Sequence, residues 1–402
     1  MATNDFSAVY AQVFGKLEAH VKRMTVFEKL RGKIAHNALA KGGMGKTYNY
    51  DNTPEGKARA NTRGTDNVIQ NFTNTQTQLV INRDFEYSFT QNQFDQKLYQ
   101  NAGDFLLRHY KTARKELTAL MDGDFLGEVS KSSITIDQGD LGGTAGVAIE
   151  IGSTYTAKAT LAKAKAKVAN SSGEYADMSM VATPDVLADF ETEGATSGFN
   201  YADAVMKNGF LGMHMLGVNF YVSNQVRHAL PLTWAGQPTD GDTFIVKGQT
   251  LTAVAAIGTT AGNFLIGASA DATKDNMNGL INNPATTSAT QRALGTATSD
   301  EVANFVQLSA VDTSATVNTL VSKFGKIAYT NALTNVTVGV QQAECYIGPK
   351  GMIELANPIP VHSIVRKESQ RSDENYLTEA AWGVQVPTEN RKKFGKLVIK
   401  TV

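Results

Sequence analysis

The sharpest chemical signal in this sequence is a glycine-rich stretch near the N-terminus. Residues 40–47 read AKGGMGKT, which satisfies the loose Walker A pattern. In a nucleotide-binding loop of this kind, backbone N–H groups surround the phosphates and the lysine, here Lys46, reaches the outer phosphates. The helix that follows presents its positive end to the same phosphates. The pattern therefore carries chemistry only when a strand precedes it and a helix follows it.

The sequence on both sides of this stretch argues against nucleotide binding. Residues 32–39 (GKIAHNAL) continue a helical pattern where a buried strand is required, and residues 48–56 contain turn formers and a proline where a helix is required. The chain also lacks the alternating βα units of a P-loop fold. We therefore expect no ATP site, and a P-loop ATPase is kept only as an alternative because the stretch resembles the KGGxGKT signature of partition-type ATPases.

The other residues that could carry chemistry are few or scattered. Cys345 is the only cysteine, which excludes an internal disulfide and a thiolate cluster for zinc. Asp122, Asp124 and Glu128 could be imagined as a metal site, but a solvated helix end explains them. The histidines show no metal-binding or catalytic spacing; they are His20, His36, His109, His214, His228 and His362. We expect no catalytic residue, no metal site and no bound cofactor.

Length, charge and the distribution of apolar residues limit the number of domains and the kinds of partner that we expect. The chain has 402 residues, enough for two or three domains. Its 38 basic and 38 acidic side chains cancel, so any contact with DNA should be weak and nonspecific. Residues 3–5 are polar or acidic where a signal peptide would be basic, and no stretch approaches eighteen apolar residues. We expect synthesis in the cytosol and no membrane span.

The first elements are an amphipathic helix and a long polar excursion. Apolar residues recur every three or four positions from Val9 to Ala38, the spacing of one helical face, with basic residues between them. Residues 42–78 are rich in glycine, asparagine and threonine and are too polar to form a core. A loop of this length needs a packing partner, and we expect that partner to be another chain. Alternating apolar residues from 79 to 89 predict a returning strand, so the excursion should be a long two-stranded arm.

A long helix and a small α/β segment come next. Apolar residues recur at helical spacing over 98–128, which predicts a helix about 40 Å long. Thr183 followed by Pro184 is a good helix start, since a side-chain cap precedes a proline whose missing N–H costs nothing there. The other elements expected here are a strand region at 134–151, a helix at 156–170, strands at 178–182 and 218–222, and a helix from 184 through 190.

The composition changes again over 236–340, to small and β-forming residues that indicate an inserted β-rich domain. A hairpin is expected where Lys247, Gly248 and Gln249 separate two β-forming runs. The further elements expected are a strand at 264–266, a helix at 271–281, and closing strands around 346–347, 361–365 and 397–399. The order of elements predicts an α+β protein.

This order resembles the Hong Kong 97-like fold of tailed-bacteriophage capsid proteins, in the branch that carries an inserted domain. The segment MVATPDVLADF at 180–190 is similar to that family's strand followed by a proline-started helix. The segment GFLGMHMLGVNFYVSN at 209–224 resembles the family's ending of glycine, short gap, glycine, apolar strand and Ser-Asn. The segment CYIGPKGMIELANP at 345–358 resembles the stretch by which such chains re-enter the fold after an insertion. The hairpin at 240–254 and the following 264–283 resemble a small β module of phage structural proteins.

The resemblance implies a domain plan and a function. The expected parts are an N-terminal helical arm (1–41), an extended loop (42–90), a peripheral domain with a spine helix (91–150), the first part of an apical domain (151–235), the β-rich insertion (236–340) and closing strands (341–402). The implied function is a major capsid protein that assembles through hexamers and pentamers into an icosahedral shell around phage DNA. It implies a virion component that is assembled in the cytoplasm of the bacterial host.

The implied partners are chiefly other copies of the same chain. Scaffolding, portal or decoration proteins are further expected partners, together with nonspecific contact with packaged double-stranded DNA and no membrane. The residues expected to contact a neighbouring subunit lie in the extended loop; they are Lys57, Arg59, Arg63 and Phe72. Another phage structural protein, such as a tail or baseplate component, is the alternative that shares the composition and the β module.

Overall fold

The computed structural model describes residues 26–31, 47–52, 75–92, 102–152, 154–172, 177–196, 214–294, 307–323, 325–367 and 373–401. The chain divides into two units. Unit 1 comprises Met1–Met121 and Lys350–Lys393, and unit 2 comprises Asp122–Pro349 and Phe394–Val402. The division falls within a long helix, so the same helix contributes residues to both units.

The elements of the first third of the chain are, in order, α1 (Phe27–Leu30), β1 (Thr47–Asn52), β2 (Thr75–Val80), β3 (Arg83–Asn92), α2 (Ala102–Gly127), β4 (Ile134–Ile136), α3 (Ala157–Ser172) and β5 (Met178–Ala182). The middle elements are α4 (Pro184–Thr196), β6 (His214–Met215), β7 (Val218–Val222), β8 (Arg227–Trp234), β9 (Thr243–Val246), β10 (Gln249–Val254), β11 (Asn263–Leu265) and α5 (Ala270–Asn282). The last elements are β12 (Leu308–Ser314), β13 (Val317–Ser322), β14 (Tyr329–Asn331), β15 (Val336–Val338), β16 (Gln342–Pro349), β17 (Glu354–Lys367), β18 (Asp373–Gln385) and β19 (Gly395–Lys400). Short 3-10 helices lie at Glu128–Lys131, Gln138–Leu141 and Thr388–Lys392.

The described residues of unit 1 form two separate antiparallel sheets. β1 pairs with β2 in a two-stranded sheet, and β17, β18 and β3 form a three-stranded sheet in that order. The short helix α1 is held by burial of Val26, Phe27 and Leu30 and by the Gly351 N–H, which donates to the Leu30 carbonyl oxygen at 2.8 Å.

An aromatic cluster packs α2 against the three-stranded sheet of unit 1. The Phe89 ring stacks on His109 at a centroid distance of 4.7 Å and on Tyr376 at 5.0 Å. Tyr110 meets Tyr376 edge to face at 6.1 Å. Edge-to-face and offset stacked pairs are the arrangements that aromatic rings favour, so the contact fixes the helix on the sheet. The buried residues of α2 continue at helical spacing; they are Tyr110, Ala113, Leu117, Met121 and Phe125.

Unit 2 is built on one large mixed sheet. Its strands run in the order β12, β13, β8, β16, β5, β7 and β6, while β15 pairs with β8 and β19 joins β16 to β4. β16 is the central strand, since it pairs with β5, β8 and β19, and almost every residue in it is buried. Cys345 lies in this strand and is fully buried.

Helices α3 and α4 cover the same face of this sheet. Ile347 pairs with Met180, which pairs with Phe220, so these three side chains point to one face. Phe190 of α4 packs edge to face on Phe220 at 5.7 Å. On α3, Leu161, Ala164 and Val168 are fully buried, and Val168 comes so close to Gly395 that a Cβ there would lie 2.9 Å from its Cγ2 atom.

An apolar core in unit 2 packs strands and the helix α5 of the segment that the sequence marks as β-rich against β8. The core residues include Trp234, Phe244, Phe264, Leu280 and Leu320. β9 and β10 form the expected hairpin, with Lys247 at φ 49° and Gly248 at φ 81° in the two-residue turn. This is the backbone of a type I′ turn, whose twist matches that of the paired strands.

Most predicted elements are confirmed, and one region is wrong. The helices at 98–128, 156–170, 184–190 and 271–281 are confirmed within the described residues. The predicted strand region at 134–151 is confirmed at 134–136 and at the isolated bridges of Ile149 and Ile151, and it is wrong between them. There Asp137 accepts hydrogen bonds from the Gly139 and Gly146 N–H groups, so its carboxylate stabilises turns in place of a strand. β18 was not anticipated, and most of the N-terminal helix lies outside the described residues.

Candidate assembly surfaces

The two-stranded arm is the first candidate surface for assembly. β1 and β2 pair over their full length, from Thr47 opposite Val80 to Asn52 opposite Thr75. Among the residues that the structure describes, neither strand pairs with a third strand. Each outer edge therefore presents backbone N–H and C=O groups, which is how a strand recruits another chain.

The base of the arm is anchored in unit 1. Leu79 and Ile81 are fully buried. Gly383 of β18 lies against the β2 backbone, and a Cβ at this glycine would approach the Val80 carbonyl oxygen to 2.2 Å. The neighbouring Trp382 is buried and stacks on Phe85 at 5.2 Å. The arm thus starts from a rigid platform while its two edges stay unpaired.

The residues expected to contact a neighbouring subunit fall between the two arm strands. Lys57, Arg59, Arg63 and Phe72 lie between β1 and β2 in sequence, outside the described residues. Sequence reasoning missed the platform that carries them. The signal for it was the alternation of Tyr376, Thr378, Ala380 and Trp382, which is weak because threonine and alanine are not strongly apolar.

The alternative reading as a P-loop ATPase is contradicted by β1. Thr47 is the last residue of the AKGGMGKT stretch and the first residue of β1, where it pairs with Val80. A phosphate-binding loop needs a helix at this point, because the helix N-terminus supplies N–H groups and a positive dipole end. Thr47 lies in a strand instead, so the helix N-terminus that a phosphate-binding loop requires directly after Lys46 is replaced by β1.

Three carboxylates come together on the β-rich segment, and a lysine occupies their centre. The Lys274 side chain is fully buried, and its Nζ donates to Asp271 at 2.7 Å, to Asp312 at 2.6 Å and to the Ser314 carbonyl oxygen at 2.6 Å. Asp275 completes the cluster at 4.0 Å. The lysine ammonium already neutralises the carboxylates, so the arrangement ties α5 to β12 and leaves no vacant place for a metal ion.

The acidic residues at the end of α2 are placed differently. Glu128 pairs with Lys131 at 2.6 Å within the 3-10 helix that follows α2. Asp122 is buried, and Asp124 is half-buried. An i,i+3 ion pair of this kind supports a local turn.

Burial strongly shifts the pKa of Cys345, His228 and Glu354. Burial raises the pKa of the Cys345 thiol to about 12, so this thiol stays protonated and is a poor nucleophile. Burial lowers the pKa of His228 to about 4, and its Nδ1 donates to the Val226 carbonyl oxygen at 2.8 Å. Burial raises the pKa of Glu354 to about 7. No helix among the described residues has both the length and the apolar character needed to cross a membrane.

No protein-family model and no curated protein matches the chain. Among solved structures, the chain is similar to that of Mycobacterium phage Che8, with 10% identity, a TM-score of 0.47, and coverage of 93% of this chain and 90% of that chain. It is also similar to the capsid of the cyanophage P-SCSP1u, with 9% identity, a TM-score of 0.44 and coverage of 94% and 89%. A virus-like particle from Pyrococcus furiosus gives 8% identity, a TM-score of 0.41 and coverage of 97% and 98%. At these TM-scores the likenesses do not by themselves assign a function.

Proposed function

We propose that this chain is the major capsid protein of a tailed bacteriophage, with a Hong Kong 97-like fold and no catalytic activity. Copies assemble through hexamers and pentamers into an icosahedral shell that encloses phage DNA. The observation that carries the proposal is the arm. Two polar strands leave a rigid platform and pair only with each other among the described residues, so a neighbouring copy is the natural partner for their edges.

The domain plan that the sequence resemblance implies is part of this proposal. Residues 42–90 supply the extended loop, 91–150 the spine helix, and 151–235 with 341–402 the apical domain. Residues 236–340 form the insertion, which continues the apical sheet through the pairing of β13 with β8. In this arrangement Lys57, Arg59, Arg63 and Phe72 contact the next subunit.

The proposed partners are those that a subunit of a capsid shell would meet. The chain would meet scaffolding, portal or decoration proteins and would touch packaged double-stranded DNA without sequence preference, since its net charge is zero. It would be assembled in the bacterial cytoplasm and end in the virion. Repetition of one interface by closed symmetry is sufficient to build such a container.

An arm deletion tests this proposal. Residues 53–74 are replaced by Asn-Gly, a two-residue turn that closes β1 and β2 without changing the Asn52–Thr75 register. We expect the parent chain to form closed shells in negative-stain images, together with free hexamers. The shortened chain should fold with the same thermal transition and stay monomeric or form only isolated rings. Shells from the shortened chain, or a parent chain that stays monomeric under assembly conditions, would contradict the proposal.

The same images separate a shell from a tail or baseplate component. Closed shells support the capsid assignment, whereas uniform open tubes or flat rings alone support the other structural role. Charge reversal at Lys57, Arg59 and Arg63 should weaken assembly in the parent background. It should have no effect on the thermal transition, because the sequence around these residues is too polar to form a core.

A further inference from the structure

One face of the arm base and of strand β3 is exposed without interruption. Every second residue over 78–88 is exposed, and the residues between them are buried or half-buried. Phe85 is one of these inward residues, and its ring stacks on Trp382 of β18 at 5.2 Å. The alternation follows from strand geometry, in which successive side chains point to opposite faces. The exposed residues are Gln78, Val80, Asn82, Asp84, Glu86 and Ser88.

Two carboxylates on this exposed face are not used inside the chain. Asp84 and Glu86 lie two residues apart on β3, and both are exposed. No hydrogen bond or ion pair ties either carboxylate to the part of the chain that the structure describes. Glu86 stands directly opposite Glu379 of β18. Like charges directly opposite each other destabilise a sheet, so cationic side chains from another molecule would be favoured beside them.

The edge of β3 next to these carboxylates is also open. Among the strands that the structure describes, β3 pairs with β18 alone, so no strand lies along its other edge. The strand is ten residues long. Such an edge can accept an extended segment through backbone hydrogen bonds, while side chains at alternate positions set the specificity. An added segment would therefore place every second side chain beside Asp84 and Glu86.

The loop between the two arm strands contains a segment with the complementary pattern. Residues 57–63 read KARANTR and carry three basic and no acidic side chains. Lys57 and Arg59 are two residues apart, so in an extended segment they share one face at a spacing of about 7 Å, as the two carboxylates do on β3. The segment contains no proline, which would remove a backbone donor from an added strand.

The basic segment that reaches these carboxylates belongs to a second copy. Gly383 of β18 lies against Val80, so β2 and β3 follow one another along β18. The far end of β2, at Thr75, is therefore about 30 Å from Asp84 at about 3.3 Å per residue. Lys57 is five residues beyond the end of β1 that pairs with Thr75. Five extended residues span at most about 18 Å, so the arm of the same copy falls short.

We propose that residues 57–63 of one copy dock along β3 of a neighbouring copy, with Lys57 and Arg59 against Asp84 and Glu86. This inference rests on the proposed capsid function, in which the arm contacts the next subunit, and it assigns the surface that receives the arm. Each copy gives one arm and receives another, so the contact repeats around a closed ring. The occupant of the β3 face is thus a second copy of this chain.

Charge reversal on the receiving strand tests this contact. The variant with Asp84→Lys and Glu86→Lys should keep its thermal transition, because both side chains are exposed. It should need at least about a tenfold higher protein concentration to assemble, measured by light scattering and negative stain, because like charges then face each other. Glu116→Lys changes an exposed carboxylate on α2 and is the matched control. This control and the conservative change Asp84→Glu should both assemble normally.

A compensating variant distinguishes a specific contact from a general effect of charge. It carries Lys57→Glu and Arg59→Glu in the same chain as Asp84→Lys and Glu86→Lys, which leaves the net charge as in the parent. Each reversed pair alone should weaken assembly. The combined variant should assemble within about threefold of the parent concentration, since opposite charges again meet at every contact.

Disulfide trapping tests whether the contact joins two copies. One variant carries Arg59→Cys and a second carries Glu86→Cys, while the native Cys345 is fully buried. Oxidation of a co-assembled mixture should give covalent dimers on a denaturing gel, because the two new cysteines lie on different chains. A mixture of the Arg59→Cys and Glu116→Cys variants should give no such dimers.

The outcomes separate this inference from the proposed function. A parent chain that forms no ring or shell contradicts the capsid function itself. A parent that assembles, with a reversed β3 variant that assembles equally well, contradicts only the docking on β3. A compensating variant that stays defective, or a cysteine mixture that gives no dimers, also contradicts this docking while the capsid function stands.

Discussion

The Val80 carbonyl oxygen lies against Gly383, so close that a Cβ on this glycine would stand 2.2 Å from it. No side chain can occupy that position unless the two backbones separate. The contact joins the last residue of the second arm strand to the C-terminal end of the long strand β18. The close approach of the arm to β18 thus depends on the absence of one methyl group.

Gly383→Ala should loosen the base of the arm. We expect a loss of about 1–3 kcal/mol in the unfolding of unit 1, because the added methyl group overpacks a rigid backbone contact. Limited proteolysis should also cut residues 42–78 faster. Gly258→Ala is the matched control, since no atom lies within 4 Å of a Cβ there. Equal stability of the two variants would show that the Val80 and Gly383 backbones can separate without loss of stability.

The Asn318 side chain should contribute strongly to the stability of the β-rich segment. Its Oδ1 accepts from the Trp234 Nε1–H at 2.8 Å, and its Nδ2 donates to Asn278 Oδ1 at 2.6 Å, all in the buried core. Asn318→Ala leaves a buried indole N–H and a buried amide unpaired, which costs about 1–3 kcal/mol. Chemical denaturation measures the loss. In the Trp234→Phe background the same change should cost less, and an unchanged cost would contradict the hydrogen bond.

His228 should make unit 2 sensitive to acid. Its pKa is lowered from an ordinary 6.5 to about 4, mainly by burial and further by Lys247 and Lys326, while Asp185 and the Val226 carbonyl act in the other direction. The folded state therefore binds fewer protons than the unfolded state between these values. The contribution is fully present above pH 6.5 and is lost as pH falls through 4, by about 3–4 kcal/mol at about 1.4 kcal/mol per pKa unit.

The change His228→Gln removes the titrating group and tests this dependence. Thermal unfolding of the variant between pH 7 and pH 4.5 should lose less stability than that of the parent. An identical slope for both proteins would assign the acid sensitivity to other groups.

Glu354 should make the stability of unit 1 depend on pH in the opposite direction. Its pKa is raised from an ordinary 4.5 to about 7 by burial, which outweighs the attraction of Arg31. The protonated carboxyl is thus favoured in the fold, and this stabilisation is present below pH 4.5 and lost as pH rises through 7. Glu354→Gln should raise the stability of unit 1 at pH 8 by about 1 kcal/mol, allowing for solvent screening of a partly exposed group. No gain at pH 8, or an equal gain at pH 5, would contradict it.

The parts of the fold that sequence could predict are those determined by local patterns. The hairpin of β9 and β10 follows from Lys247 and Gly248, which can adopt the positive φ angles of a two-residue turn. The helix α2 follows from apolar residues at helical spacing, and α4 follows from the cap and proline at its start.

The parts that sequence could not predict depend on distant contacts. In the sequence Asp137 is an ordinary polar residue. In the structure its carboxylate accepts a hydrogen bond from the Gly146 N–H at 2.8 Å, which stabilises a turn in place of a strand. In the sequence Gly383 is an unfavourable residue for a strand, and only the structure shows that the Val80 backbone lies against it. The helix pair α3 and α4 shows its opposite charges in the sequence, but only the sheet under them places the two side by side.

Asn282 gives the β-rich segment one more property. Its side-chain amide donates to the Ala310 carbonyl oxygen at 2.9 Å and accepts from the Ala310 N–H at 2.8 Å, as a residue of a paired strand would. The Lys274 ammonium group donates a hydrogen bond to the Ser314 carbonyl oxygen farther along the same outer strand. An exposed edge strand can recruit another chain through its unpaired backbone groups. By occupying the Ala310 N–H and carbonyl groups, Asn282 shortens the part of the β12 edge that is open to such pairing.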